Sequence, residues 1–158
     1  MKVGTNPASN QFKWKWKKGA ETSVDDFLSP GQGSATYRVC LYDSSGHAQP
    51  LMQMNVSALA VCDLASCWKP SGSTGFSYRS RDGTPDGLTA LKLKAGITGK
   101  ANVQAKGKGR LLPMPPLGLT LPVTAQLVIA NGSRTECWQT TYATAILNDP
   151  ARFKAKGP

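Results

Sequence analysis

At 158 residues the chain fits one domain with a real core, and 40% hydrophobic against 18% charged residues excludes a chain left disordered for want of apolar surface. Its 16 Gly and 11 Pro favour short strands and turns over helices. The 19 Lys and Arg against 9 Asp and Glu give a formal net charge of +10, which points to anionic partners and is silent about fold.

Residues 1–11 read as a flexible leader. "MKVGTNPASN" lacks the apolar core of a signal peptide, so the expectation is a mature chain with Met1 added or retained. "FKWKWKK" then alternates strictly, placing Phe12, Trp14 and Trp16 on one face of a strand and Lys13, Lys15 and Lys17 on the other. "TYRVCLYD" is a second strand with Tyr37, Val39 and Leu41 on its apolar side, and "LMQMNVSA" follows across the turn "DSSGHAQP" to complete an antiparallel hairpin.

"VCDLASCWKPSGSTG" is a loop that its own cysteines can close, leading into the short strand "FSYRS". "RDGTPDG" is a cluster of turn dipeptides. Two alternating runs, "LTALKLKAG" and "KANVQAKGKG", come next, the first seated by Leu88, Leu91 and Leu93. "RLLPMPPLGLTLP" has four prolines in 13 residues, too many for a central strand, and predicts an extended surface crossing.

The clearest local signal follows it: "VTAQLVIA", Asn131-Gly132, then "RTECWQTTYA". It predicts a β-hairpin, because Asn-Gly accepts the positive φ angles of hairpin turns. At the end, "NDPARFKAKG" offers Asp149 as N-cap and Pro150 at the first helical position of a short C-terminal helix. The sum is an all-β fold of about eight or nine strands, an antiparallel sandwich of immunoglobulin-like or jelly-roll-like type over residues 12–158. A closed β-barrel is the alternative.

The four cysteines, with only one histidine in the chain, point to two disulfides in an oxidising compartment rather than to zinc. Cys40 and Cys137 each lie opposite their strand's apolar side and could pair if those strands are neighbours. Cys62 and Cys67 close a six-residue loop. The other two connectivities stay open at this point. The localisation that follows is secreted, periplasmic or cell-surface.

"YRVCLYD", "GFSYRSRDGTPDGLTALKLKAG", "GKANVQAKGKGRLLPMPPL" and "VTAQLVIANGSRTECWQ" together resemble a family of uncharacterised secreted bacterial β-rich proteins. That family carries a Thr-Pro-Asp-Gly turn, a Lys-Gly-Lys-Gly stretch and a late Cys-Trp. The likeness runs from about residue 12 to near the end of the chain. It implies secretion and a single domain, and it brings no activity.

Chemistry is sparse. His47, the one histidine, sits in a turn, and no GxSxG elbow occurs, so a catalytic triad is not assembled from this chain. The carboxylates available for a hydrolase are Asp25 with Asp26, Asp82 with Asp86, and Glu136. Asp82 and Asp86 occupy turn positions and are candidate Ca2+ ligands only in outline, since the acidic ladder of a calcium loop is incomplete. No cofactor is implied.

What remains is surface: Lys13, Lys15 and Lys17, Arg79 and Arg81, Lys92 and Lys94, and Lys106, Lys108 and Arg110. If their strands share one sheet, they form a basic plateau for an acidic polysaccharide or other polyanion, with Trp68 as an exposed stacking ring. The expected function is a non-catalytic binding or adhesion module. The alternatives are a structural subunit that self-associates by strand pairing and a carboxylate-based hydrolase.

Overall fold

The alternating segments all become strands in the computed structural model, which describes residues 1–157. In chain order they are β1 Gln11–Lys17, β2 Thr36–Tyr42, β3 Met52–Ser57, β4 Val61–Cys62, β5 Ala65–Ser66 and β6 Trp68–Pro70. After these come β7 Gly75–Arg79, β8 Leu88–Lys94, β9 Asn102–Lys108, β10 Val123–Ala130, β11 Thr135–Tyr142, β12 Leu147–Asn148 and β13 Phe153–Lys154. Five of them form one antiparallel sheet in the order β1-β9-β8-β7-β6, and four form a second in the order β11-β10-β2-β3.

The two sheets face each other as a sandwich, and neither closes on itself, so the barrel alternative is not realised. Eight of its nine strands are the alternating segments; the ninth, β6, and the small β4–β5 hairpin lie in the stretch expected to be a cysteine-closed loop, and β12–β13 is a second small hairpin outside the sandwich. Each sheet contributes its apolar face to one core. Phe12, Trp14, Leu91, Leu93, Val103 and Tyr78 come from the first sheet, and Tyr37, Val39, Met52, Met54, Leu127, Ile129 and Trp138 from the second.

Aromatic contacts fasten the layers. Trp68 of β6 lies 4.6 Å from the Tyr37 ring across the core and 5.3 Å from Tyr78 beside it. Phe27, fully buried in a short 3-10 turn at Asp25–Phe27, sits 6.4 Å from Phe76 of the first sheet and 5.5 Å from Trp138 of the second. Each pair adds to the area it buries, because edge and tilted ring arrangements are attractive in their own right. The polar ends are satisfied: the Tyr37 hydroxyl donates to the Phe27 carbonyl at 2.7 Å, and the Trp138 indole donates to Thr22 Oγ1 at 3.2 Å.

β8 shows how the pleat adjusts to sequence. Leu88 and Leu91 are three apart, so strict alternation would send one of them to solvent. A register shift between Leu88 and Ala90 against β9 restores both to the core. The Asn131-Gly132 hairpin forms as expected between β10 and β11, with Gly132 at φ 90° and Asn131 Oδ1 accepting the Arg134 N–H at 2.9 Å. The proline-rich crossing is extended and outside any strand, and it drops Leu112, Leu117 and Leu119 onto the core from its inner side.

Three expectations are corrected. The C-terminal helix is a tight hairpin, β12–β13. Asp149 Oδ1 does accept the Ala151 and Arg152 N–H groups, at 2.8 and 2.7 Å, as an N-cap would. Phe153 is buried, however, and Asn148 pairs with it, so the chain reverses where a helix would have carried on.

The leader is tied into the fold: Lys2 bridges both Gln11 and Arg152, Val3 donates to the Ala151 carbonyl at 2.9 Å, and Pro7–Ser9 is a 3-10 turn capped by Asn6. Finally, Cys40 and Cys137 are unpaired, while Cys62–Cys67 is a disulfide. Both free cysteines lie on the outer side of the second sheet, but β10 runs between β2 and β11. Two strand spacings put their backbones about 10 Å apart or more, beyond the reach of a disulfide. Cys137 is exposed and accepts a hydrogen bond from Gln126 Nε2 at 2.8 Å, whereas Cys40 is buried and burial pushes its thiol pKa up.

Thiol labelling checks this arrangement. One equivalent of reagent, at Cys137, is expected to react with the native chain, and the second, at Cys40, only after unfolding. Failure of both to react in denaturant without reductant would reveal the cross-strand bridge instead.

Candidate polyanion-binding face

Burying the rings of β1 turns its lysines outward, and the same holds along the whole first sheet. Its outer face carries Lys13, Lys15 and Lys17 from β1, Lys106 and Lys108 from β9, Lys92 and Lys94 from β8, Arg79 from β7 and Lys69 from β6. No Asp or Glu occurs in any of these five strands. The four strands of the second sheet carry one Arg and one Glu, Arg38 and Glu136. The charge of the chain is therefore concentrated on one layer.

Register arranges these cations in rows across the strands. Lys13 lies opposite Lys106, which lies opposite Ala90, and Ala90 opposite Arg79. Lys15, Gln104, Lys92, Ser77 and Lys69 form the next row, and Lys17, Asn102 and Lys94 the one after. The Lys13–Lys106 pair places two ammonium groups directly opposite each other, which is unfavourable without a counterion. Lys15 feels the crowding most: Lys17, then Lys13, and also Lys106, lower its pKa below the ordinary lysine value.

The face is not flat at its edges. A hollow of about 930 Å3 runs over it, bounded on one side by Lys13, Lys15, Lys92 and Lys106 and on the other by the β4–β5 hairpin and its disulfide, with Lys69, Arg79 and Arg81 between. Asp63 is the one acid on its lining. A second hollow, about 710 Å3, lies at the β1 side among Lys2, Lys13, Lys106, Lys108, Arg152 and Lys154, over an apolar floor that includes Phe12, Ile146 and Leu147. Lys13, Thr89 and Lys106 line both, so the two hollows meet across the middle of the sheet.

Of the residues singled out in the sequence, Lys13, Lys15, Lys17, Arg79, Lys92, Lys94, Lys106 and Lys108 come together on this face, and Arg81 joins at the rim of the larger hollow. Arg110 lies past the end of β9 and lines neither hollow. Trp68 is a correction: it is 4% exposed, its indole donates to the Ser57 carbonyl at 3.0 Å, and it is an inter-sheet fastener rather than a stacking platform. The neighbouring disulfide suggests a loop, but the β6 pairing of Trp68 with Tyr78 turns the ring inward.

Lys69, Lys2, Arg152 and Lys154 were not legible as site residues. Lys69 could have been found from its place in the period-two run after Cys67. The others depend on the closure of the two chain ends against each other.

Asp82 and Asp86 do not share a site. Asp82 Oδ1 holds its own turn, accepting from Ser80 Oγ at 2.6 Å and from the Thr84 N–H at 3.1 Å, and these bonds depress its pKa to about 2. Asp86 Oδ2 reaches across to the other sheet and accepts the Asn55 backbone N–H at 2.9 Å and the Asn55 side-chain amide at 2.8 Å. Among the described residues no group of three or more His, Cys, Asp or Glu is placed to hold a metal. His47 is exposed in its turn.

Comparison with family models, with curated proteins and with solved structures returns no match. The functional reading rests on the face itself.

The Asp82 turn has a pH signature. A carboxyl whose folded pKa lies near 2 against an ordinary 3.8 contributes stability above the higher value and loses it as pH falls through the lower. Chemical denaturation at stepped pH should show Asp82→Asn losing less stability than the parent between those limits, and parallel curves would remove the turn's role. Lys15→Gln should raise Tm at low salt, and the gain should vanish near 1 M salt, where screening acts within about 3 Å.

Proposed function

We propose that this protein is a non-catalytic binding module that engages polyanionic surfaces through the outer face of the first sheet. The observation that carries the reading is the segregation of charge: nine cations and no acid on five strands, facing one direction, while the second sheet is close to neutral. A basic residue that only discourages edge pairing belongs on β1 or β6. Lys92, Lys94 and Lys106 stand on interior strands, where no edge needs blocking. Rows of cations opposite one another are stabilised by bridging anions, and phosphate, sulfate or carboxylate groups along a polymer or a surface supply them.

The Cys62–Cys67 disulfide fits an oxidising compartment, in agreement with a secreted, periplasmic or cell-surface location. Among the described residues no helix is long and apolar enough to cross a membrane. The alternative of a subunit that assembles by strand pairing drew on a free N-terminal segment. Residues 2–10 are instead hydrogen-bonded within the chain, and Asp86 occupies a backbone N–H on the open edge of β3.

Binding to heparin or to polyphosphate across a salt series tests the reading. With six or more cations engaged, affinity should fall by about a thousandfold or more between 50 and 200 mM salt. Lys92→Gln and Lys106→Gln should each lower the salt slope by about one, while Arg38→Gln, on the outer side of the second sheet, should leave it unchanged. A flat salt response, or equal losses for Arg38→Gln and Lys106→Gln, would reject the plateau as the binding face.

A further inference from the structure

The wall of the larger hollow is built in an unusual way. β4 and β5 form a two-residue hairpin whose tip, Asp63-Leu64, has φ of 50° and 67°, left-handed at both positions. Such turns are ordinarily Asn-Gly or Asp-Gly, since a γ-branched residue avoids the left-handed region. Leu64 nevertheless occupies the second position and is 101% exposed, as open to water as in an extended peptide. Val61 in the same hairpin is 70% exposed and Leu59 just before it 60%.

The hairpin is also held firmly in place. The Cys62–Cys67 disulfide ties it to the start of β6, the Cys67 N–H donates to the Ala60 carbonyl at 2.9 Å, and the Arg79 N–H donates to the Cys67 carbonyl at 3.0 Å. Single exposed leucines are ordinary on protein surfaces. Three apolar side chains within six residues, on a braced projection beside an acid-free cationic sheet, are a different arrangement.

We infer that the polyanion is the face of an anionic lipid bilayer and that the Leu64 hairpin is a wedge which enters it while the lysine rows sit on the headgroups. This inference rests on the polyanion reading and deepens it. Two features favour a bilayer over a soluble polymer. The cationic face is broad, five strands about 4.8 Å apart, so it presents a two-dimensional array of charge rather than a track one strand wide. Anionic membrane surfaces reward cations and inserted apolar side chains together, whereas a polysaccharide or nucleic acid has no interior to receive a leucine. The disulfide and its hydrogen bonds fix the wedge in advance, so insertion does not have to order a loop.

Sedimentation with vesicles separates the two levels of the argument. The full chain should bind vesicles of phosphatidylcholine and phosphatidylglycerol in equal parts and ignore phosphatidylcholine alone. Leu64→Ser should weaken vesicle binding about tenfold or more and leave heparin affinity unchanged. Leu64→Gly should weaken it equally while raising Tm, because glycine takes the left-handed conformation without strain, so loss of binding cannot be laid to misfolding. Leu64→Trp should add a blue-shifted emission only when the mixed vesicles are present.

Vesicle binding unchanged in Leu64→Ser and Leu64→Gly, or Leu64→Trp emission indifferent to the mixed vesicles, would overturn the wedge. Heparin binding without vesicle binding would overturn the bilayer as partner and leave the polyanion reading standing. Absence of both in the parent chain would remove the polyanion reading as well.

Discussion

β1 cannot bury Phe12 and Trp14 and turn the half-buried Trp16 inward without exposing Lys13, Lys15 and Lys17, because successive side chains of a strand leave on opposite faces. This constraint governs the molecule. β1 and β9 are written with this alternation throughout and β8 from Leu91 onward, so closing the sheet over the core assembles a cationic layer on its outside. Core formation and surface charge are two faces of one pattern. The apolar contribution of the rings and leucines is what keeps nine like charges on one sheet despite their repulsion.

The sandwich depends on how firmly its layers are fastened. Trp68 and Phe27 are the two points where rings from both sheets meet, and neither is in the middle of a long strand. Phe27 comes from a short turn in the β1–β2 connection and Trp68 from a three-residue strand at the sheet edge. Long strands supply area, while these two residues supply the cross-links. Asp86 adds a polar one, joining the turn before β8 to the edge of β3 and covering an N–H that another chain could otherwise pair with.

Six of the nine acids, Asp26, Asp43, Asp82, Asp86, Glu136 and Asp149, hold parts of the fold together. Asp26 and Glu136 hold Arg134, which lies near the β10–β11 turn and away from the basic face. Asp82 and Asp149 hold their own turns, and Asp43 accepts the Thr120 N–H at the far end of the proline-rich crossing. Among the described residues no carboxylate forms an ion pair with the lysine rows, and Asp63 is the one acid on the lining of the larger hollow. A surface left uncompensated in this way draws counterions from its surroundings, which is the physical basis of the polyanion reading.

Period two was legible from the residues alone, so the sequence determined eight of the nine sandwich strands, their inward and outward faces, the Asn131-Gly132 hairpin, the extended proline-rich crossing and the nature of the cationic side chains, while Cys62–Cys67 was one of three connectivities and β4, β5 and β6 lay in an expected loop. The β8 register shift between Leu88 and Ala90, by contrast, falls in a run that reads as plain alternation. What the sequence could not determine was adjacency. Whether Lys15 and Lys92 share a row depends on β9 entering between β1 and β8, and the failure of Cys40 to meet Cys137 depends on β10 entering between β2 and β11.

Both are long-range pairings chosen by how the whole core packs, and no local pattern encodes them. The chain ends belong to the same class: the leader and the terminal segment look unstructured or helical in isolation, and they become ordered because each offers the other a backbone partner at Lys2 and Arg152. Local propensity decides what a segment can be; the tertiary structure decides what lies beside it, because strand partners are selected by the burial of the assembled faces.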